Sequence, residues 1–334
     1  MVPRRLAHSR NGNLEVLMKA MKHILLLAAT FGVVASSACA QQQLRRSQFV
    51  TNTYLANPAV AGTESGTTLF STYRQQWAGF AGGPTTMLLS GHRALPNGLG
   101  AGFVLYNDDM GGAIRQSGME LTGAYSVLLN NQDAVSFGLS MKGNQFVFDG
   151  TDLEVYQPGD EALPQTREST FGLDFNAGVM VYGQDYYFGM AVFNLIQDRL
   201  NLSGDENLNR MVRHYHFMGS YLYDLDNLWA VQSSVLLRMT NATAPQLDLN
   251  VRGILNGTYW LGMGFRPQDA FVLSLGMNYR EFTFAYNYDI STGNNLLGAH
   301  SHELSVGYLI PTRSGFRSRP SSGGRVRGNG RILK

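Results

Sequence analysis

The stretch Gln246-Leu247-Asp248-Leu249-Asn250-Val251-Arg252-Gly253, QLDLNVRG, alternates almost without error. In a β-strand, side chains point to opposite faces with a period of two. Leu247, Leu249 and Val251 therefore share one face, and Gln246, Asp248, Asn250 and Arg252 share the other. Two architectures accept such a strand. In a soluble sandwich the apolar face meets a second sheet and the polar face meets water. In an outer-membrane barrel the apolar face meets lipid and the polar face lines the lumen. One strand does not choose between them.

The rest of the chain does. Strand-like runs of roughly ten residues, the length a tilted membrane strand needs, recur about fourteen times. They begin near Thr67, Thr85, Leu99, Gln116, Asp133, Ser169, Asp185, His214, Trp229, Gln246, Thr258, Ala270, Phe282 and His302. Every second connection is tight: PNG at Pro96, NNQD at Asn130, YGQD at Tyr182, DLDN at Asp224, LNG at Leu255 and YRE at Tyr279. Asn, Asp and Gly are the residues that accept the positive φ of hairpin turns. The intervening connections are mostly longer, as in WAGFAGGP (Trp77–Pro84) and DISTGNNLLGAHS (Asp289–Ser301). Short turns alternating with long loops match periplasmic turns and extracellular loops, and an even strand number puts both termini in the periplasm.

Outward faces suit lipid. Phe282, Phe284, Tyr286 and Tyr288 alternate with Thr283, Ala285, Asn287 and Asp289, and Val231, Val235, Leu237 and Met239 lie opposite Gln232, Ser234 and Arg238. Trp77, Tyr106, Tyr125, Tyr223, Trp229, Tyr259 and Tyr308, at strand ends, are expected in the interfacial girdles. The 38 glycines suit strongly bent strands. The expected fold is all-β, a transmembrane outer-membrane barrel of about 14 antiparallel strands over residues 67–311. Residues 41–66 precede the first strand as a separate N-terminal segment.

The ends of the chain add an address. From Met21, a basic residue (Lys22), an apolar run (Ile24–Val34) and Ala38-Cys39-Ala40 have the layout of a secretory signal peptide, with cleavage after Ala40. Residues 1–40 are thus read as presequence and signal. A lipoprotein alternative, with Cys39 acylated, is disfavoured because Ser36-Ser37-Ala38 lacks the usual aliphatic residue three positions before the cysteine. Cys39 is the sole cysteine, so the mature chain would have neither disulfides nor thiolate metal sites. The formal charge of +2 conceals an excess of about nine acids between Gln41 and Pro311, balanced by a basic presequence and an acid-free tail over 312–334. The tail's Gly, Ser and Pro content reads as disordered. Export argues against nucleic acid as its partner.

Several spaced motifs resemble one family. Asn57-Pro58-Ala59 with Ala61-Gly62 is similar to its NPA-x-AG opening. Tyr73-Arg74, Gln76-Trp77, Gly79, Gly82, Pro84 and Thr85 follow its YR-x-QW-x-G-x-x-G-x-P-x-T pattern. RHYHFMGSY (Arg213–Tyr221), LDLN (Leu247–Asn250) and the segment from Tyr286 to Tyr308 match later landmarks in order. The chain resembles the PorP/SprF family of type IX secretion system membrane proteins over nearly its whole mature length. Ser220 departs from the pattern, where a second glycine is common, and the basic tail is longer than expected. The resemblance implies a non-enzymatic barrel, distantly like the fatty-acid channels, with its N-terminal segment, here residues 41–66, in the lumen. It also implies a role in type IX export and gliding in Bacteroidota, with other type IX components and a secreted cargo protein bearing a type IX C-terminal domain as partners. The alternative is a passive outer-membrane channel for small or apolar solutes.

Candidate sites fall into three groups. Asn57, Pro58 and Gly62 belong to the N-terminal segment, and Asn57-Pro58 is open to two readings: a lumen plug or a turn leading into the first strand. Arg74, Asp248, Arg252, Asp289 and Glu303 are the expected lumen charge network. Arg74 pairs there with Glu303, Asp248 or Asp289, because an unpaired charge in a narrow interior is costly. Trp77, Gly79, Phe80, Gly82 and Pro84 are candidate mouth contacts to cargo, with glycines permitting close backbone approach, while Trp77 as a girdle residue is the competing reading. His214 and His216 share a face, but no third ligand follows at recognisable spacing, so packing is preferred to a metal site. His302 and Glu303 are strand neighbours pointing to opposite faces, which argues against a hydrolase pair. No catalytic residue, cofactor or metal is expected.

Overall fold

The computed structural model describes residues 47, 49–64, 66–80, 82–130, 133–150, 167–198, 210–292 and 300–311. The signal-peptide and basic-tail readings fall outside them, as do 151–166, 199–209 and 293–299 within loops. The fold below is that of the unit made by Gln41–Asn241 and Pro245–Lys334.

Fourteen antiparallel strands close into a barrel. They are β1 (Thr67–Ala78), β2 (Thr85–Ala94), β3 (Leu99–Asp109), β4 (Ile114–Leu128), β5 (Ala134–Asp149), β6 (Arg167–Tyr182), β7 (Tyr186–Phe193), β8 (His214–Asp224), β9 (Trp229–Thr240), β10 (Gln246–Leu255), β11 (Tyr259–Arg266), β12 (Ala270–Tyr279), β13 (Phe282–Ser291) and β14 (His300–Ile310). Each pairs with its sequence neighbours, and β1 pairs with β14 from Thr67↔Ile310 to Gln75↔His302. Closure leaves no free strand edge, which is the condition for a sheet to cross lipid. Every strand begins within two residues of the position expected from periodicity.

The opening strand shows which side its polar face takes. Asp248, Asn250 and Arg252 are buried, whereas Leu249 and Val251 are exposed. The same holds around the barrel, with Leu261, Met263, Leu139 and Phe137 at 68%, 69%, 55% and 52% exposure. A continuous apolar belt of this kind is stable only against hydrocarbon. The polar faces therefore line the lumen.

Two expectations are corrected. Tyr106 is not a girdle residue: it is buried, pointing inward, and its hydroxyl bonds Asn144. Also, β4, β5 and β6 run for 15, 16 and 16 residues, well beyond ten. Their additional residues lie at the long-loop end, where outward Arg115, Gln145, Arg167 and Ser169 are polar and exposed, so this wall extends past the apolar belt.

The hydrophobic core is inside the barrel. Residues 49–64 are buried throughout, with two 3-10 turns at Thr53–Ala56 and Pro58–Val60. Phe49, Val50, Tyr54, Leu55 and Val60 cluster with inward Leu88, Val104, Met180, Met218 and Leu236. The lumen is thus filled in part by apolar packing between this segment and the wall.

Candidate functional site

The N-terminal segment is seated by side chains it shares with the wall. Asn57 is fully buried and extended (φ −158°, ψ 120°), the region preferred before proline. Its Nδ2 donates to the carbonyls of Val179 on β6 and Met190 on β7, both at 3.1 Å, and its Oδ1 accepts from the amide of Ala59 at 2.9 Å. The wall opposite is glycine. A β-carbon on Gly189 would stand 2.7 Å from Asn57 Nδ2, and β-carbons on Gly138 and Gly178 would overlap Pro58 and Asn57. Three adjacent strands therefore form a hollow that only glycine permits. Further along, Gly62 has φ +76° and packs on Gly100 of β3, and its amide donates to His92 Nδ1 at 3.4 Å.

Other contacts fix the rest of the segment. Asn52 Nδ2 donates to Ser90 Oγ at 2.8 Å, and the Tyr54 hydroxyl meets Thr122 Oγ1 at 2.6 Å. His216 Nδ1 lies 3.1 Å from the Ala56 carbonyl, and its ring packs on Phe193. His214 is buried on the same face. No group of three or more His, Cys, Asp or Glu side chains suited to a metal occurs among the described residues.

Toward the long-loop end the lumen is ionic. Arg74 Nη2 lies 2.8 Å from Asp289 Oδ2, and Nη1 lies 2.9 Å from Glu303 Oε2. Arg266 lies 2.5 Å from Asp248, 2.7 Å from Asp269 and 3.9 Å from Asp289. Arg238 reaches the other oxygen of Asp248 at 2.5 Å. Arg266 thus links two sub-clusters, so Arg74 meets Asp289 and Glu303 directly and Asp248 only by way of Arg266. Seven charges of nearly balanced sign neutralise one another here, which is what burial demands. Arg252 lies nearer the short-turn end, where its Nε donates to Gln232 Oε1 at 2.8 Å and its guanidinium stacks over Trp260.

Ser47 joins this network to the N-terminal segment. Its amide donates to Glu303 Oε2 at 2.9 Å and its hydroxyl to Asp289 Oδ2 at 2.5 Å. Arg74 and Arg266 donate to its Oγ at 2.9 and 3.3 Å. Sequence reasoning did not single out Ser47 or Arg266. Arg266 was legible in retrospect, because Trp260, Gly262, Gly264 and Arg266 form the inward set of β11.

At the mouth, β1 ends in a bulge between Gln75 and Ala78. Trp77 sits there at φ +51°, unusual for a bulky residue, and its amide donates to Ser301 Oγ at 3.2 Å. Phe80 N–H donates to the Trp77 carbonyl at 3.0 Å, Gly83 to Phe80 at 3.2 Å, and Gln76 to Pro84 at 2.8 Å. These bonds hold the loop in consecutive tight turns with Phe80 outside, 55% exposed. Gly79 and Gly82, at φ +103° and +76°, have open space where a β-carbon would be. Their backbone conformation calls for glycine. A β-carbon on Gly83 would stand 2.6 Å from the Gln76 carbonyl oxygen. His302 points outward, its Nδ1 2.6 Å from the Tyr286 hydroxyl, while Glu303 points inward.

Solved barrels are similar in fold at low identity. A FadL homologue from Pseudomonas aeruginosa matches with a TM-score of 0.46 at 10% identity, covering 79% of this chain and 94% of that one. The KdgM porin matches at 0.39 and 10%, covering 73% and 99%. The translocator domain of the autotransporter NalP from Neisseria meningitidis matches at 0.40 and 11%, covering 80% and 94%. No curated protein matches the sequence. The family model described as type IX secretion system membrane protein PorP/SprF matches residues 38–308, the barrel together with its lumen segment. On that match the chain belongs to the PorP/SprF family and is an outer-membrane β-barrel component of type IX secretion.

Proposed function

We propose that this barrel holds one large secreted surface protein at its long-loop mouth, through that protein's type IX C-terminal domain, and does not pass it through the lumen. The observation that carries this reading is the glycine-walled seat of Asn57, Pro58 and Ala59. A segment packed against the wall at β-carbon depth on three strands is a fixture of the fold. Phe80 supplies an exposed aromatic on a loop braced by its own turns, and Trp77 stands at its base. Rigid aromatic anchors of this type dominate protein interfaces. The filled lumen also weighs against the alternative of a passive solute channel.

Replacing Trp77 and Phe80 together with alanine tests the docking. Cargo is expected in the medium, with barrel level and heat-modifiable migration unchanged. Cargo that stays on the surface of this variant would remove the mouth as the docking site. Altered solute uptake with an unchanged surface proteome after gene deletion would favour the channel.

A further inference from the structure

The N-terminal segment descends the lumen in one direction. Ser47 is bonded at the level of Arg74, Asp289, Glu303 and Arg266, all within about four residues of the long-loop ends of their strands. Asn52 bonds Ser90 near the middle of β2, and Tyr54 bonds Thr122 near the middle of β4. Asn57 bonds Val179, in the short-turn half of β6, and Met190, at the middle of β7. Gly62 meets His92 two residues from the short-turn end of β2, and the Gly66 carbonyl accepts from the amide of Ala94, the last residue of that strand. The chain then enters β1 at that end. An even strand count alone would leave the N-terminus on the short-turn side, but this descent runs from the other side.

From this we infer that the mature N-terminus is presented on the same face of the membrane as the long loops, and so at the cell surface. With cleavage after Ala40, six residues precede Ser47. Fully extended they span about 20 Å. That is shorter than the hydrocarbon core, about 30 Å, and the path back is occupied by residues 49–64. The N-terminus therefore has one exit.

The test uses the whole protein, whose sole cysteine, Cys39, precedes the expected cleavage site. Single cysteines are placed by Gln42→Cys, by Asn241→Cys in a long loop and by Asn227→Cys in a short turn. Each strain is treated with a membrane-impermeant maleimide, before and after outer-membrane permeabilisation. Heat-modifiable migration checks folding of each variant. Expected is labelling of Gln42→Cys in intact cells, to the same extent as Asn241→Cys, with Asn227→Cys labelled only after permeabilisation. Labelling of Gln42→Cys only in company with Asn227→Cys would overturn the inference, as would no labelling in either state. None of these outcomes depends on cargo docking, so the two proposals fail separately.

Discussion

The side-chain oxygen of Asn57 occupies the space that a β-carbon on Gly178 would need. Asn57 meanwhile spends its amide on two wall carbonyls, at 122 and 133 residues' separation. Gly178→Ala therefore forces either the strand or the Asn57-Pro58 turn to move. Overpacking of this kind costs about 1–3 kcal/mol. A lowered heat-modification temperature is expected for Gly178→Ala and Gly138→Ala. Gly123→Ala, whose β-carbon would meet nothing within 4 Å, should behave as wild type.

Removing Arg74 leaves Asp289 and Glu303 buried with less compensation. Breaking a buried pair from one side costs about 3–5 kcal/mol. Arg115 and Asp109 form the contrasting case, at 3.3 Å with the side chains 48% and 36% exposed. A pair so exposed contributes at most about 1 kcal/mol. Arg74→Met should lower the denaturant midpoint strongly and Arg115→Met hardly at all. Equal effects would mean that the lumen network is not a buried one in solution.

The Asp226 carboxylate in the β8–β9 turn gives a pH dependence. Its Oδ1 accepts the amides of Leu228 and Trp229, each at 2.7 Å. These bonds, Leu228's first, hold its pKa below the ordinary carboxylate value. A depressed folded pKa means that the stabilisation is present above the unfolded value, near 4, and is lost as pH falls through the folded one. Hydrogen exchange at Leu228 and Trp229 should lose protection below that value. Asp226→Asn should abolish the pH dependence.

Deleting residues 53–63 should turn a quiet barrel into a conducting one. In planar bilayers the intact protein is expected to show no steady large conductance, and the deletion a persistent one. Equal conductance from both would mean that ions already pass the seated segment.

Much of the fold was legible because lipid outside and polar lumen inside write a period of two along every strand. That pattern placed Asp248, Asp289 and Glu303 on the inner face before any coordinates. It did not specify partners, because pairing depends on register between strands far apart in sequence: Arg74 and Glu303 are 229 residues apart. Tyr106 escaped because an aromatic near a strand end fits the girdle pattern, although it shares the inward parity of Val104 and Asp108 on β3. The glycines of β5–β7 also suggested bent strands. Their role emerges only when Asn57 is seen opposite them, a contact without local sequence signature.

The segment packed inside the barrel also constrains the order of assembly. Residues 47–64 bond or pack against strands from β2 to β14. A chain that fits its wall at β-carbon depth has no clearance to slide into a finished ring. The segment must already lie across β5, β6 and β7 when β1 meets β14, so the sheet rolls up around its own N-terminus as around a mandrel. At the β1–β14 seam, Arg74 of β1 and Glu303 of β14 meet over Ser47 as the fastening.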